Sequence, residues 1–226
     1  MKLHLLSWDD LPMVATIHRA AFPRAAISRL GQAAACRYYE SLMSGPYGTV
    51  GLGIFAEEQL AGYCFVGIRH IAETAYVRRH IWFLAWRLLT HPGLLTEPFI
   101  RDRIVSGLRL LVPAPRSPVC AAPTGPETGR SYGIQYIAVD PLCQGRGVGK
   151  KLVSASEDYA RQQGCTEIHL SVYLDNVRAI RLYERMGWSR LCPPGERWQG
   201  FMSKRLDQPA ATEASPVAAS PTAISS

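Results

Sequence analysis

Seven residues constrain this chain more than any others: Gln144-Gly145-Arg146-Gly147-Val148-Gly149-Lys150. They lie between an apolar run, Ile134 to Val139, and a helix-spaced stripe of Val148, Leu152, Ala155 and Tyr159. That order reads as strand, tight turn, helix. Glycine lets the backbone turn sharply. The first N–H groups of a helix have no intrahelical partner and point outward, which makes a site for an anion, ideally a pyrophosphate. Arg146 and Lys150 add positive charge. The spacing is neither the GxGxxG of dinucleotide sites nor the GK[ST] ending of triphosphate loops, so those readings are demoted.

The flanking sequence alternates short strands and helices, an α/β order in one domain. A strand is expected at Leu3–Leu6 and a helix from Pro12, with Val14, Ile17 and Ala21 at helical spacing, ended by Pro23. A second helix is expected from Leu30 to Met43, with Leu30, Ala34, Tyr38 and Leu42 on one face. Val50–Ala56 and Leu60–Ile68 read as a hairpin. Glu167–Val172 alternates as a strand. Val177–Met186 reads as a helix, capped by Asp175 or Asn176 and stopped by Gly187. Trp188–Leu191 and Arg197–Met202 close the series as strands.

Residues 69–130 interrupt the pattern as an insertion between the third and fourth strands. Helices are expected near Tyr76–Leu89 and Glu97–Val112, followed by a proline-rich loop. Arg69 to Arg116 holds eight arginines against three acidic residues, a net charge of +5. Residues 207–226 are rich in Ala, Ser, Pro and Thr with no hydrophobic period, so they read as a disordered tail. The body, residues 1–206, reads as the folded domain.

The whole chain of 226 residues is 47% hydrophobic and 19% charged, which suits a globular domain and excludes a fibrous or wholly disordered chain. No apolar run approaches the roughly 18–20 residues that cross a bilayer. His4, Asp9 and Asp10 stand where a signal peptide would be greasy, so a cytoplasmic location is expected. The formal charge of +7 favours anionic partners. The six cysteines include no CxxC pair and no histidine cluster, so no metal site is expected.

A second motif lies downstream: Asn176, Ala179, Leu182, Tyr183 and Gly187, with Trp188 following. Together with Gln144, Gly147 and Gly149, it resembles the GNAT superfamily, the GCN5-related N-acetyltransferases. The detailed resemblance covers about residues 134–188. It implies the GNAT fold: a central mixed, mostly antiparallel sheet flanked by helices. It implies acetyl-CoA as co-substrate and an amine as acceptor; the CoA phosphates and the insertion account for the basic residues, so no nucleic acid is expected as partner. The pyrophosphate would lie on Gln144, Gly145, Arg146, Gly147, Val148, Gly149 and Lys150. The pantetheine arm would pair with Ile137, Ala138 and Val139 like an added strand, and Asn176 would contact it.

The resemblance also implies roles in catalysis. The Val139 N–H would polarise the thioester carbonyl. Tyr183 would protonate the departing thiolate. The amine would attack directly, with no acyl-enzyme. The places where some family members carry a carboxylate base fall at Gly133 and Ser171, neither of them acidic. His169 shares a strand face with Ser171 and is the candidate to act through a water, against an equal reading as a structural histidine. Glu57, Glu58 and Glu73 are further candidates.

The expected function is transfer of an acetyl group to a primary amine of a small molecule such as an amino sugar. The alternatives are a protein N-terminal or lysine acetyltransferase and a non-catalytic acyl-CoA-binding module. For the insertion, a lid is the preferred role. Its aromatics, Trp82, Phe83 and Trp86, are expected in the core. A membrane-surface contact of the 76–112 helices is the lesser reading.

Overall fold

The computed structural model describes residues 1–45, 48–68, 80–90 and 132–207. Strands β1 (Lys2–Leu5), β2 (Val50–Ala56), β3 (Gln59–Ile68), β4 (Tyr132–Val139), β5 (Glu167–Ser171), β6 (Ser189–Arg190) and β7 (Phe201–Arg205) form one sheet. Its order is β1-β2-β3-β4-β5-β7-β6. Only β4 and β5 run parallel; every other neighbouring pair is antiparallel. The helices are α1 (Leu11–Ala21), α2 (Ala26–Leu30), α3 (Gln32–Ser44), α4 (Ile81–Thr90), α5 (Val148–Gln162) and α6 (Val177–Arg185).

Strand alternation divides the core between the two faces of the sheet. On one face Leu60, Tyr63, Phe65 and Ala138 pack with Leu11, Val14 and Ile17 of α1 and Tyr38, Tyr39 and Leu42 of α3. On the other, Cys64, Val66 and Ile134 pack with Val148, Leu152, Val153 and Ala160 of α5 and Tyr183 of α6. Gly62 lets β3, β4 and α5 close up. A Cβ there would stand 2.9 Å from both the Ala138 carbonyl and the Val148 side chain.

Several expected elements shift. The expected second helix starts at Gln32 rather than Leu30, because Gly31 takes φ +95°, which only glycine adopts freely, and a short helix that was not expected, α2, precedes it. The last strand starts at Phe201 rather than Arg197. Gly200 has φ +89° and lies so close to the Val172 carbonyl that no side chain fits, and this corner delays pairing.

The buried stripe of α5 also differs. Ser156 and Glu157 are buried, whereas Ala155 and Tyr159 are only half-buried. Glu157 tolerates this because Trp188 Nε1 donates to Oε1 at 2.8 Å and Lys204 Nζ reaches Oε2 at 2.6 Å. Residues 69–131 connect β3 to β4, which is the expected position of the insertion. Its expected second helix and proline-rich loop, and residues 208–226 of the expected tail, lie outside the described residues.

The core role expected for the insertion's tryptophans is corrected: Trp82 is 87% exposed and Trp86 63%. Among the described side chains of α4, Phe83 and Leu84 face inward, while Trp82 and Trp86 on the opposite side meet solvent.

Candidate active site

The site grows from the end of β4. Asp140 Oδ1 accepts from the Leu142 amide at 2.8 Å and starts a short 3-10 turn, Pro141–Cys143. The chain then passes through Gly145 at φ +83° and Gly147 at φ +79°. Gly147 caps α5 and brings no side chain to its open N–H groups, and the first turn contains no acid. A Cβ at Gly147 would meet nothing within 4 Å, so the loop opens onto free space. Exposed Arg146 and Lys150 stand on its rim. Arg178 of α6 completes it: Nη1 donates to Gln144 Oε1 at 3.1 Å.

Beside the loop the sheet splits. Pairing of β4 with β5 covers only Tyr132–Ile134 against Ile168–Leu170. Gln135 is the extra residue of a bulge opposite Phe65/Val66, and its side-chain amide donates to Thr49 Oγ1 at 3.1 Å. Past β5, the Val172 amide turns to the Gly200 carbonyl at 2.9 Å. Residues 135–139 therefore present an open edge where β5 diverges.

Amide direction follows from one bond. The Asp140 N–H donates to the Ala61 carbonyl of the hairpin at 3.0 Å. Amides alternate along a strand, so those of Ile137 and Val139 face the open edge, away from β3. The side chains of Ile137 and Val139 pack on the α5 face and that of Ala138 on the α1/α3 face. Gly149 lies against this corner, where a Cβ would make ordinary contact with Leu182 at 3.5 Å and Val139 at 3.8 Å.

Tyr183 belongs to the core cluster that Ile137 and Val139 pack against; it is 5% exposed, with its ring centroid 5.9 Å from that of Trp188. Burial, with a smaller contribution from the Cys64 thiol, pushes its hydroxyl well above the usual tyrosine value. The shift makes it a weaker acid than an ordinary tyrosine. Asn176 caps α6, its Oδ1 accepting from the Ala179 amide at 3.2 Å, and is exposed.

His169 is not brought to this corner. Its strand partners are Gly133 and Ser203, with Glu167 Oε2 3.6 Å from Nε2. Gly133 precedes Val139 by six residues, roughly 20 Å along a strand. Glu57 and Glu58 are exposed in the β2–β3 turn, and Glu73 lies outside the described residues. Among the described residues no group of His, Cys, Asp and Glu could hold a metal ion.

A buried polar cluster on the α1/α3 face escaped the sequence reading. His18 Nδ1 lies 2.7 Å from the Tyr39 hydroxyl and 3.2 Å from that of Tyr63. The Tyr38 hydroxyl donates to that of Tyr136 on β4 at 3.0 Å. The only signal was the density of tyrosine in α3 and the hairpin.

The sequence model of the acetyltransferase (GNAT) family matches residues 13–188. The chain belongs to that family. A mycothiol acetyltransferase of Rhodococcus erythropolis is 41% identical over 71 residues, 30% of this chain and 23% of that protein. A thialysine N-epsilon-acetyltransferase of Sus scrofa is 32% identical over 74 residues, 33% of this chain and 43% of that protein. The similarity thus spans less than half the length of either relative.

Among solved structures, YncA of Salmonella typhimurium, determined with its cofactor acetyl-CoA, aligns with TM-score 0.55 and 18% identity. That alignment covers 95% of this chain and 98% of that one. The ribosomal-protein-S18-alanine N-acetyltransferase of Escherichia coli gives TM-score 0.54 and 14% identity over 93% and 97%. These likenesses establish the GNAT fold.

Proposed function

We propose that this GNAT protein is an acetyl-CoA-dependent N-acetyltransferase that acts on the primary amine of a small molecule such as an amino sugar. Residues 1–206 are its catalytic domain. The observation that carries the reading is the open β4 edge ending in an anion-ready loop: two outward amides, Ile137 and Val139, continuous with the bare N-terminus of α5. A diphosphate carrying an extended amide-containing arm fits both parts. The rim cations Arg146, Lys150 and Arg178 match its charge.

In this reading the loop amides of Gly145 to Lys150 hold the pyrophosphate, and Asn176 flanks the arm. The Val139 N–H donates to the thioester carbonyl oxygen and stabilises negative charge as it develops there. A neutral amine attacks the carbonyl carbon, a C–N bond forms and the C–S bond breaks. Tyr183 gives its proton to the leaving sulfur and regains one from solvent. The proton lost by the amine passes to solvent. His169 takes no part, because its strand position lies far from Val139.

The relatives named for mycothiol and thialysine support a small-molecule acceptor. The test measures thiol release from acetyl-CoA with amino sugars, polyamines, lysine analogues and N-terminal peptides, with product masses. A product 42 Da heavier from a small amine supports the proposal. Release with peptides only moves the function to protein acetylation. Binding of acetyl-CoA without release to any acceptor makes the chain a binding module.

A further inference from the structure

Helix α4 shows two unlike faces. Phe83 lies beneath the Arg37 guanidinium, 3.9 Å from the ring centroid, and Leu84 joins the α1/α3 core. The opposite stripe is Trp82, Trp86 and Leu89, at spacing i, i+4 and i+7. These residues are 87%, 63% and 75% exposed. Two tryptophans and a leucine aligned in solvent are more than the scattered apolar residues of an ordinary surface.

The chemistry of the neighbouring sequence identifies the occupant. Arg78, Arg79 and His80 immediately precede the helix, and Arg87 lies within it. The interval from Arg69 to Arg116 carries a net +5. Two copies meeting through this helix would bring together two copies of a segment with Arg78 and Arg79 adjoining it in sequence and Arg87 within it, so the charge disfavours self-association and favours an anionic surface.

Tryptophan suits a bilayer interface, because its ring is apolar while its N–H needs a polar partner. Ten residues give a helix about 15 Å long, half the roughly 30 Å of a hydrocarbon core. No described helix is long and apolar enough to cross a membrane. The remaining geometry is a helix lying flat among anionic headgroups.

We propose that α4 docks the protein onto an anionic lipid surface through Trp82, Trp86 and Leu89. The inference stands apart from the acetyltransferase reading. The test sediments the full chain with vesicles of phosphatidylcholine alone, and with vesicles in which about a third of the lipid is phosphatidylglycerol. The chain pellets with the anionic vesicles. Trp82→Ala/Trp86→Ala lowers the bound fraction about tenfold, with an unchanged thermal midpoint because both side chains are exposed.

Absence of pelleting overturns the proposal. Undiminished pelleting of the double variant also overturns it, since charge alone then suffices. A tryptophan-dependent dimer seen by light scattering without lipid assigns the face to a second copy. A lower thermal midpoint of the double variant assigns it to the chain's own residues.

Discussion

The indole N–H of Trp188 donates to Glu157 Oε1 across 2.8 Å, in a site where Glu157 is only 4% exposed. With Lys204 on the other carboxylate oxygen at 2.6 Å, this one side chain ties α5 to β7 and to the chain entering β6. Removing it strands two donors. Glu157→Ala is expected to destabilise by about 3 kcal/mol, as for other broken buried pairs. Glu157→Gln, which can still accept from Trp188, costs less. Urea titrations of the three proteins check the order.

His18 makes folding sensitive to acid. It is 2% exposed, and burial lowers its pKa from 6.5 to about 4. Between those values the unfolded chain holds the proton and the native protein does not. Stability contributed by neutral His18 is therefore complete above pH 6.5 and is lost as pH falls toward 4. The loss amounts to about 3 kcal/mol at most. In His18→Gln the slope of unfolding free energy against pH over that window flattens. An equal slope in wild type and variant would assign the acid sensitivity to other groups.

Arg178 holds Gln144 at the loop rim and contributes charge there. Arg178→Ala is expected to raise the acetyl-CoA dissociation constant about threefold to tenfold, the modest effect of an exposed charge. Raising ionic strength weakens wild-type binding more than that of the variant. Binding at two salt concentrations tests both statements.

Tyr183→Phe keeps the ring in its packing beside Trp188 and deletes only the hydroxyl. Acetyl-CoA binding stays near wild type while turnover falls by about 10²–10⁴-fold. Since a thiol pKa is about 8.5, the thiolate leaves unaided at high pH and the defect shrinks there. A pH–rate profile of the two enzymes decides. Near-normal turnover at neutral pH would leave Tyr183 as a core aromatic.

Local features were legible and distant ones were not. Gly145 and Gly147 announced the loop because their left-handed backbone acts on neighbouring residues. Asn176 announced the α6 cap for the same reason. Glu157 did not announce its burial, because Lys204 lies 47 residues away in sequence. His169 looked eligible because strand alternation gives a face but not a register, and pairing with Gly133 fixes the register. Trp82 and Trp86 looked like core because hydropathy does not say which side of a helix finds a partner. Gly31 set the start of the second helix at Gln32 through a backbone angle that apolar spacing does not encode.

Gly147 is the most direct probe of the donor site, because a side chain there enters the space assigned to the pyrophosphate. Aspartate tolerates left-handed backbone better than most residues; φ +79° strains it, but its Cβ meets nothing within 4 Å and it adds a negative charge. Calorimetric titration of acetyl-CoA into wild type and Gly147→Asp, with thermal unfolding of both, is the decisive measurement. Wild type binds, and the folded variant loses affinity by about a hundredfold or more, as expected when an anion is set against a diphosphate. A folded Gly147→Asp that binds acetyl-CoA as wild type does would contradict the assignment of this loop to the donor.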